Sequence, residues 1–412
     1  MKKIFGLALV AAFLAASCNQ APATLVIGAI YPTGGSQGSG GLGEYRGASL
    51  AADLANRDGG VRGRKIELRL FKADSAEAAP GAARRLASSG IRIWLGSYGS
   101  TISARVAAQA DKLGALFWET GAVGELPMFE GLGRRVFRFP PTGAQLGADS
   151  VTFIRDRYSK LIGRGNDLRY TVVYVDDVYG RSVARGAIDE INRSGLDLAA
   201  TIPYTLPGAG FDQIAAKIAA ARTDVLVVSA YVDDAVAMRK AILKAKVPLV
   251  AGIGTSSSYC MPEFGERLGA QAVGLFASDK PDGDVLKTAP LAPPAAKALE
   301  WGRSEYRRRY HQPMSGAALT GFSGAWALFK YVLPNARSLT PAAVAAAAAK
   351  VNLPKGSLPN GSGLRFAPPG APNAGDNLRA ASVIWEWTTP GWRAVVWPPE
   401  FATEPITPLT IN

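Results

Sequence analysis

Short apolar runs rich in β-branched residues alternate along the chain with longer segments whose apolar positions recur every three or four residues. TLVIGAIY (24–31) reads as a strand, and YRGASLAADLANRDGG (45–60) has helical spacing that ends on a Gly-Gly stop. KIELRLFKAD (65–74), a helix through AAPGAARRLASSG, IRIWLGSYG, a helix over 101–113 and ALFWETGA (115–122) continue the alternation. The pattern restarts after FRFPPTGAQLG (137–147). A helix around 148–161 leads to YTVVYVDDVYG, a helix at 182–194, LDLAATIPY, a helix at 211–221, DVLVVSAYVDD, a further helix, VPLVAGIG and AVGLFASD. Apolar strands alternating with amphipathic helices build parallel sheets covered on both faces. Two such series predict two α/β domains.

Two features stand where strands hand over to helices. IRIWLGSYGST (91–101) breaks from an apolar strand into a Gly/Ser/Thr loop, and Ile102, Val106, Ala110 and Leu113 then keep one face of a helix. The unpaired N–H groups and positive dipole end of that helix suit a ligand carboxylate, and Gly99 lets the backbone approach it. The plainer alternative makes Ser100 an N-cap and nothing more. YVDD occurs at 174–177 and again at 231–234. Asp at these places caps helices, yet open α/β sheets also bind ligands beyond the carboxyl ends of their strands. Both readings hold for the same residues.

Three enzymatic patterns fail on context. GSGGLG (38–43) has the letters of a dinucleotide fingerprint but begins seven residues past its strand, where a tight turn is required. GGSQG (34–38) spells a nucleophile elbow inside a Gly/Ser loop, and the sole histidine, His311, lies in a basic helical run. No phosphate-binding G-x-x-x-x-G-K-[ST] occurs. With one His and two Cys, no metal site or cofactor is expected.

The N-terminus bears on the compartment. MKK precedes thirteen apolar residues (4–16), too few to cross about 30 Å of hydrocarbon, so the segment reads as a signal peptide. LAASCNQ resembles a bacterial lipobox with Cys18 as the lipidated residue, although Ala15 stands where Leu is usual; a plain secretory signal is the alternative. A lipidated Cys18 leaves Cys260 without an intrachain partner. The net charge of +13 raises the question of nucleic acid. The basic residues are scattered, however, with only RRRYHQ (307–312) dense, and no RNP, zinc-finger or basic-helix pattern accompanies it. No nucleic-acid partner is expected; a solvated basic face near an anionic membrane fits better.

Taken together, TLVIGAIYPTGG, GEYRGASLAADLANRDGGVRGRKIELRLFKADS, WLGSYGSTISARVAAQADKLGALFWETGA, FRFPPTGAQLG, YTVVYVDDVYGRSVARGAIDEI, DQIAAKIAAARTDVLVVSAYVDDAVAMRKAI and AVGLFASDKP resemble the leucine/isoleucine/valine-type periplasmic binding proteins. These are type I substrate-binding components of branched-chain amino-acid ABC importers. The resemblance implies two doubly wound parallel-sheet lobes joined by three crossings, near 139–142, 277–280 and 353–363. One lobe would comprise 24–141 with 280–353, and the other 142–279 with 354–412, behind the signal (1–18) and a linker (19–23). LRFAPPG and AASVIWEWTTPGWRAVVW would end the chain as a hairpin on the second lobe.

The resemblance also implies a site. Ser100, Thr101, Gly121, Ala122 and Val123 match positions that hold the ligand's carboxylate and amine, and Tyr231, Tyr179 and Thr255 match second-lobe positions. Three departures bear on the ligand. Val123 replaces a Thr, the first-loop aromatic falls at Gly40, and the acid that pairs with the ligand ammonium falls at uncharged Gly254–Thr255. Glu119, Asp176 and Asp177 are the acids left to replace it, with helix capping or solvent exposure as the alternative for each. The implied function is capture of a hydrophobic amino acid, or a related carboxylate or amide, for a membrane permease, outside the cytoplasm and anchored by lipid. A ligand-binding part of a sensory system is the alternative, and a secreted hydrolase a third.

Overall fold

The apolar runs become the strands of two separate sheets in a computed structural model that describes residues 24–124 and 135–408. The first series runs β1 (Leu25–Tyr31), α1 (Gly38–Arg57), β2 (Ile66–Lys72), α2 (Ala79–Ser88), β3 (Ile93–Gly96), α3 (Ser100–Lys112), β4 (Leu116–Glu119) and β5 (Val136–Arg138). Its strands pair in parallel in the order β2-β1-β3-β4-β5. The second opens with α4 (Gly143–Phe153), a π-helical turn and α5 (Ser159–Leu161). It continues through β6 (Arg169–Val175), α6 (Val178–Arg193), β7 (Asp197–Tyr204), α7 (Phe211–Ala220), β8 (Val225–Ser229), α8 (Val232–Lys244), β9 (Ala251–Thr255), α9 (Pro262–Leu268) and β10 (Phe276–Asp279). Three helices follow, α10 (Pro293–Tyr310), α11 (Gly316–Ala327) and α12 (Pro341–Ala348), then a hairpin of β11 (Val383–Thr389) and β12 (Trp392–Trp397). The second sheet has the order β12-β11-β10-β9-β8-β6-β7, parallel except for the hairpin, which adds antiparallel beside β10.

The central strands of both sheets are buried on both faces, which is why they read as continuous apolar runs rather than alternating ones: IWLG of β3 and VLVVS of β8 are buried throughout. Helices α1 and α11, far apart in sequence, pack together on the first sheet. Their backbones touch closely, since a Cβ on Gly47 would lie 1.9 Å from the Ala318 carbonyl oxygen.

Close backbone approach also accounts for the main local departure from the sequence reading. The glycine stretch 38–43 is not a loop; it is the first turns of α1. Each glycine costs a helix about 1 kcal/mol relative to alanine, so propensity argued against it. A Cβ on Gly41 would stand 2.2 Å from the Pro32 carbonyl oxygen, and only glycine lets the helix begin so close to β1. Tertiary packing outweighs propensity here.

The C-terminal hairpin forms from 383–397 alone. LRFAPPG pairs instead with 375–378, through Ala367 N–H to Asp376 and Leu378 N–H to Arg365, and that segment runs along the edge of the first sheet: Arg138 N–H donates to Gly375 (2.8 Å) and Asn377 N–H donates to Arg138 (3.0 Å). Phe366 packs edge-on against Trp118 and Phe137. The RRRYHQ run is neutralised locally, with Arg307 paired to Asp284, Arg308 to Glu305, and Arg309 to both Glu305 and Asp53. Cys18 and the apolar N-terminal segment lie outside the described residues. Among those described, no helix is long and apolar enough to cross a membrane.

Candidate functional site

Strand order fixes where a ligand can enter. In the first sheet β1 is flanked by β2 and β3, so the chain leaves β1 and β3 toward helices on opposite faces and opens a crevice. In the second sheet β6, between β7 and β8, plays the same part. The two crevices face each other. Between them Gln37, Tyr98, Gly99, Ser100, Gly121, Ala122 and Val123 from one sheet meet Tyr179, Tyr231, Ser256 and Ser257 from the other, around a narrow gap.

On the first wall, α3 starts at Ser100, and its N-cap is Gly99 at φ 83°, a conformation that favours glycine. Ser100 is therefore inside the first turn and not an N-cap. Its Oγ accepts the Gly124 N–H at 2.9 Å, which leaves the hydroxyl proton available to donate. The first intrahelical bond of the turn is Ser103 N–H to Gly99 O, so the N–H groups before it have no helical acceptor. Thr101 is on this turn but not on the wall of the gap.

The loop after β4 is held from behind by Glu119, which is fully buried. Its Oε1 accepts from Gly121 N–H (2.6 Å), Ala122 N–H (2.7 Å) and Ser97 N–H (3.2 Å). Glu119 thus consumes two backbone donors that a ligand would otherwise use. Burial pushes its carboxyl up to about 8, against the three N–H bonds and the Arg138 charge, which favour the anion. Glu44, equally buried, packs against Gly121 and accepts from the Thr120 hydroxyl; burial raises its carboxyl well above the usual range, with the Lys280 charge opposing. Lys280 Nζ donates to the Gly121 carbonyl at 3.2 Å and lies 5.3 Å from the Tyr98 ring centre. Burial works against this ammonium, but Asp279 leads the neighbours that outweigh it and raise its pKa, so it stays charged.

Glu119 gives the fold a pH dependence. Between pH 4.5 and about 8 the folded chain keeps a proton on Glu119 that the unfolded chain releases, so the unfolding free energy falls as pH rises through that window. In Glu119→Gln the side-chain oxygen still accepts from the same N–H groups, but nothing titrates. Denaturant unfolding of both proteins at about pH 5 and about pH 8 should show a smaller loss for the variant. Equal losses would count against a protonated Glu119.

On the second wall, Asp177 caps α6, accepting from Gly180 N–H (2.8 Å) and from the Tyr231 hydroxyl (2.6 Å). In the second YVDD the cap is Tyr231 itself, while Asp234 accepts from its N–H at 3.0 Å and from the Tyr204 hydroxyl. Tyr179 stands beside Tyr231, ring centres 5.6 Å apart, and its hydroxyl meets Ser256 O and Thr255 Oγ1. Thr255 therefore sits behind Tyr179 and does not line the gap. Asp176 is paired with Arg181 outside it. Tyr98 spans the walls through a 3.1 Å bond to Ser257 Oγ, and Ser39 Oγ donates to Glu263 at 3.1 Å farther out.

Six residues expected from the sequence share the gap: Ser100, Gly121, Ala122, Val123, Tyr179 and Tyr231. Gln37, Tyr98, Ser256 and Ser257 were missed. Tyr98 fills the place left by the glycine at 40, since a Cβ there would touch its ring at 2.3 Å. The signals were an aromatic directly before a predicted helix in SYGS and a run of hydroxyls just past a strand in TSSSY (255–259).

A profile of the periplasmic binding protein family matches residues 24–374. The chain is 27% identical to Leu/Ile/Val-binding protein homolog 8 of Brucella suis, over 93% of each protein, and 26% identical to homolog 7 of Brucella abortus, over 92% of this chain and 93% of that one. Two solved structures share the fold. They are the branched-chain amino acid transporter binding protein LivJ of Streptococcus pneumoniae with isoleucine (TM-score 0.72, 18% identity, 91% of this chain and 100% of that one) and the leucine-binding protein LivK of Thermotoga maritima (0.74, 16%, 90% and 97%). Two doubly wound sheets whose crevices face across a small polar gap, and a family match over most of the length, lead to one conclusion: this chain belongs to the periplasmic binding protein family, extracytoplasmic binding proteins rather than enzymes.

Proposed function

We propose that the protein captures a small amphipathic molecule between its two lobes and delivers it to the permease of an ABC importer. The observation that carries this reading is the start of α3, where unpartnered N–H groups and the Ser100 hydroxyl face an enclosed gap walled by two tyrosines from the other lobe. The head group bound there is a carboxylate or amide, and Tyr98, Tyr179, Tyr231 and Val123 offer surface to an apolar tail. Relatives named for leucine, isoleucine and valine binding support a ligand of that size. Relatives named as transporter components favour delivery to a permease over a sensory role. Lipid on Cys18, followed by NQAPAT, would tether the lobes to a membrane face.

Thermal shift against amino acids, organic acids and amides tests the reading: a ligand at 100 times its Kd stabilises the fold by about 2.7 kcal/mol. With that ligand, Ser100→Ala loses a charge-assisted donor while α3 keeps its glycine cap. Calorimetry should show Kd raised roughly ten- to a hundredfold, or about 1.5–3 kcal/mol. A change within about twofold would remove Ser100 from the site.

A further inference from the structure

We infer that the ligand is a carboxylate carrying no ammonium group, because the protein supplies the ammonium itself, from Lys280. This rests on the reading of the gap given above and names its substrate class. An ammonium brings three donors and a full charge; once desolvated it needs acceptors, at least one of them anionic. The described residues that line the gap include no carboxylate. The acids nearby are engaged elsewhere: Glu119 with three backbone N–H groups, Asp177 with Gly180 and Tyr231, Asp234 with Tyr231 and Tyr204, while Glu44 and Asp279 already have the Lys280 ammonium as their counter-charge. Three backbone acceptors at the gap are engaged as well. The Gly121 carbonyl accepts from Lys280 Nζ, that of Val123 from Gly143 N–H and Arg138, and that of Ser256 from the Tyr179 hydroxyl.

What remains for a ligand is a set of donors. Ser100 contributes a hydroxyl whose lone pair is already used by Gly124, and the first turn of α3 contributes N–H groups and its dipole. Lys280, buried behind Gly121 and the Tyr98 ring, already occupies the Gly121 carbonyl and already answers the charges of Asp279 and Glu44, so a second ammonium would find neither acceptor nor counter-charge there. Among the described residues, the acceptors left on the wall are neutral: the Gln37 amide, hydroxyl oxygens and remaining backbone carbonyls. They can bond a donor but cannot balance its charge.

Matched pairs differing only in the α-amino group provide the test: valine with 3-methylbutanoate, leucine with 4-methylpentanoate, and phenylalanine with 3-phenylpropanoate. Each is titrated calorimetrically into the wild-type protein freed of carried-over ligand. The expected result is that at least one acid binds about tenfold or more tightly than its amino acid, with no pair reversed. An amino acid that binds as tightly as its des-amino partner overturns the inference while leaving capture of a small amphipathic ligand intact. No binding by any of the six at about 1 mM overturns the inference and the proposed ligand class together.

Discussion

Arg138→Met should lower the unfolding free energy by about 3–5 kcal/mol, the usual consequence of removing one partner from a buried ion pair. Arg138 is the last residue of β5, and its Nε meets Asp376 Oδ1 at 2.8 Å with both side chains almost fully enclosed. The same guanidinium donates to the carbonyls of Val123 (3.2 Å) and Gly124 (2.5 Å), so it ties the binding loop to the segment that returns along β5. Methionine fills much of the volume but leaves Asp376 as an uncompensated buried charge and orphans those carbonyls. Arg138→Lys should recover only part of the loss, because one ammonium cannot reproduce a planar fork aimed at three acceptors. Urea titration measures both variants. A loss below about 1 kcal/mol for Arg138→Met would mean that the pair is not buried as described.

Trp118→Ala should cost a similar amount, about 3–5 kcal/mol, by a different mechanism. The side chain is fully buried in β4, its Nε1 donates to the Gly324 carbonyl of α11 at 2.9 Å, and its ring meets the edge of Phe366 at 5.3 Å. It therefore joins three parts of the chain, the first sheet, α11 and the 364–377 segment. Alanine leaves a cavity among elements that cannot collapse without moving strands. Trp392→Ala provides the comparison, since Trp392 is 52% exposed at the hairpin and should change stability by less than about 0.5 kcal/mol. Equal effects at the two tryptophans would rule out the packing described around Trp118.

The alternation of strands and helices was legible because parallel strands covered on both faces must be apolar along their length, and their helices must be amphipathic. IWLG, VLVVS and AGIGT stand out for that reason. The start of α3 was legible to within one residue, since the step from apolar strand to SYGST marks a strand–loop–helix junction. The first turns of α1 were not. Nothing local distinguishes a glycine needed for close approach from one in a loop; the contacts that decide it, Pro32 against Gly41 and the Tyr98 ring against Gly40, come from just past β1 and just past β3.

The sequence by itself determined the two-sheet α/β class, the order of elements and most of one wall of the gap, because these follow from periodicity and from residues adjacent in the chain. Only the tertiary structure decided the polarity of the site. Glu119 looked available for a ligand amine but is spent on the N–H groups of its own loop. Tyr98 stands in for the aromatic absent at Gly40. Lys280, at the end of the β10 segment and 159 residues from Gly121, reaches that carbonyl only because the two sheets face each other. Hydrogen-bond partners depend on distances in space between residues remote in sequence, and no local pattern encodes which donor is already satisfied.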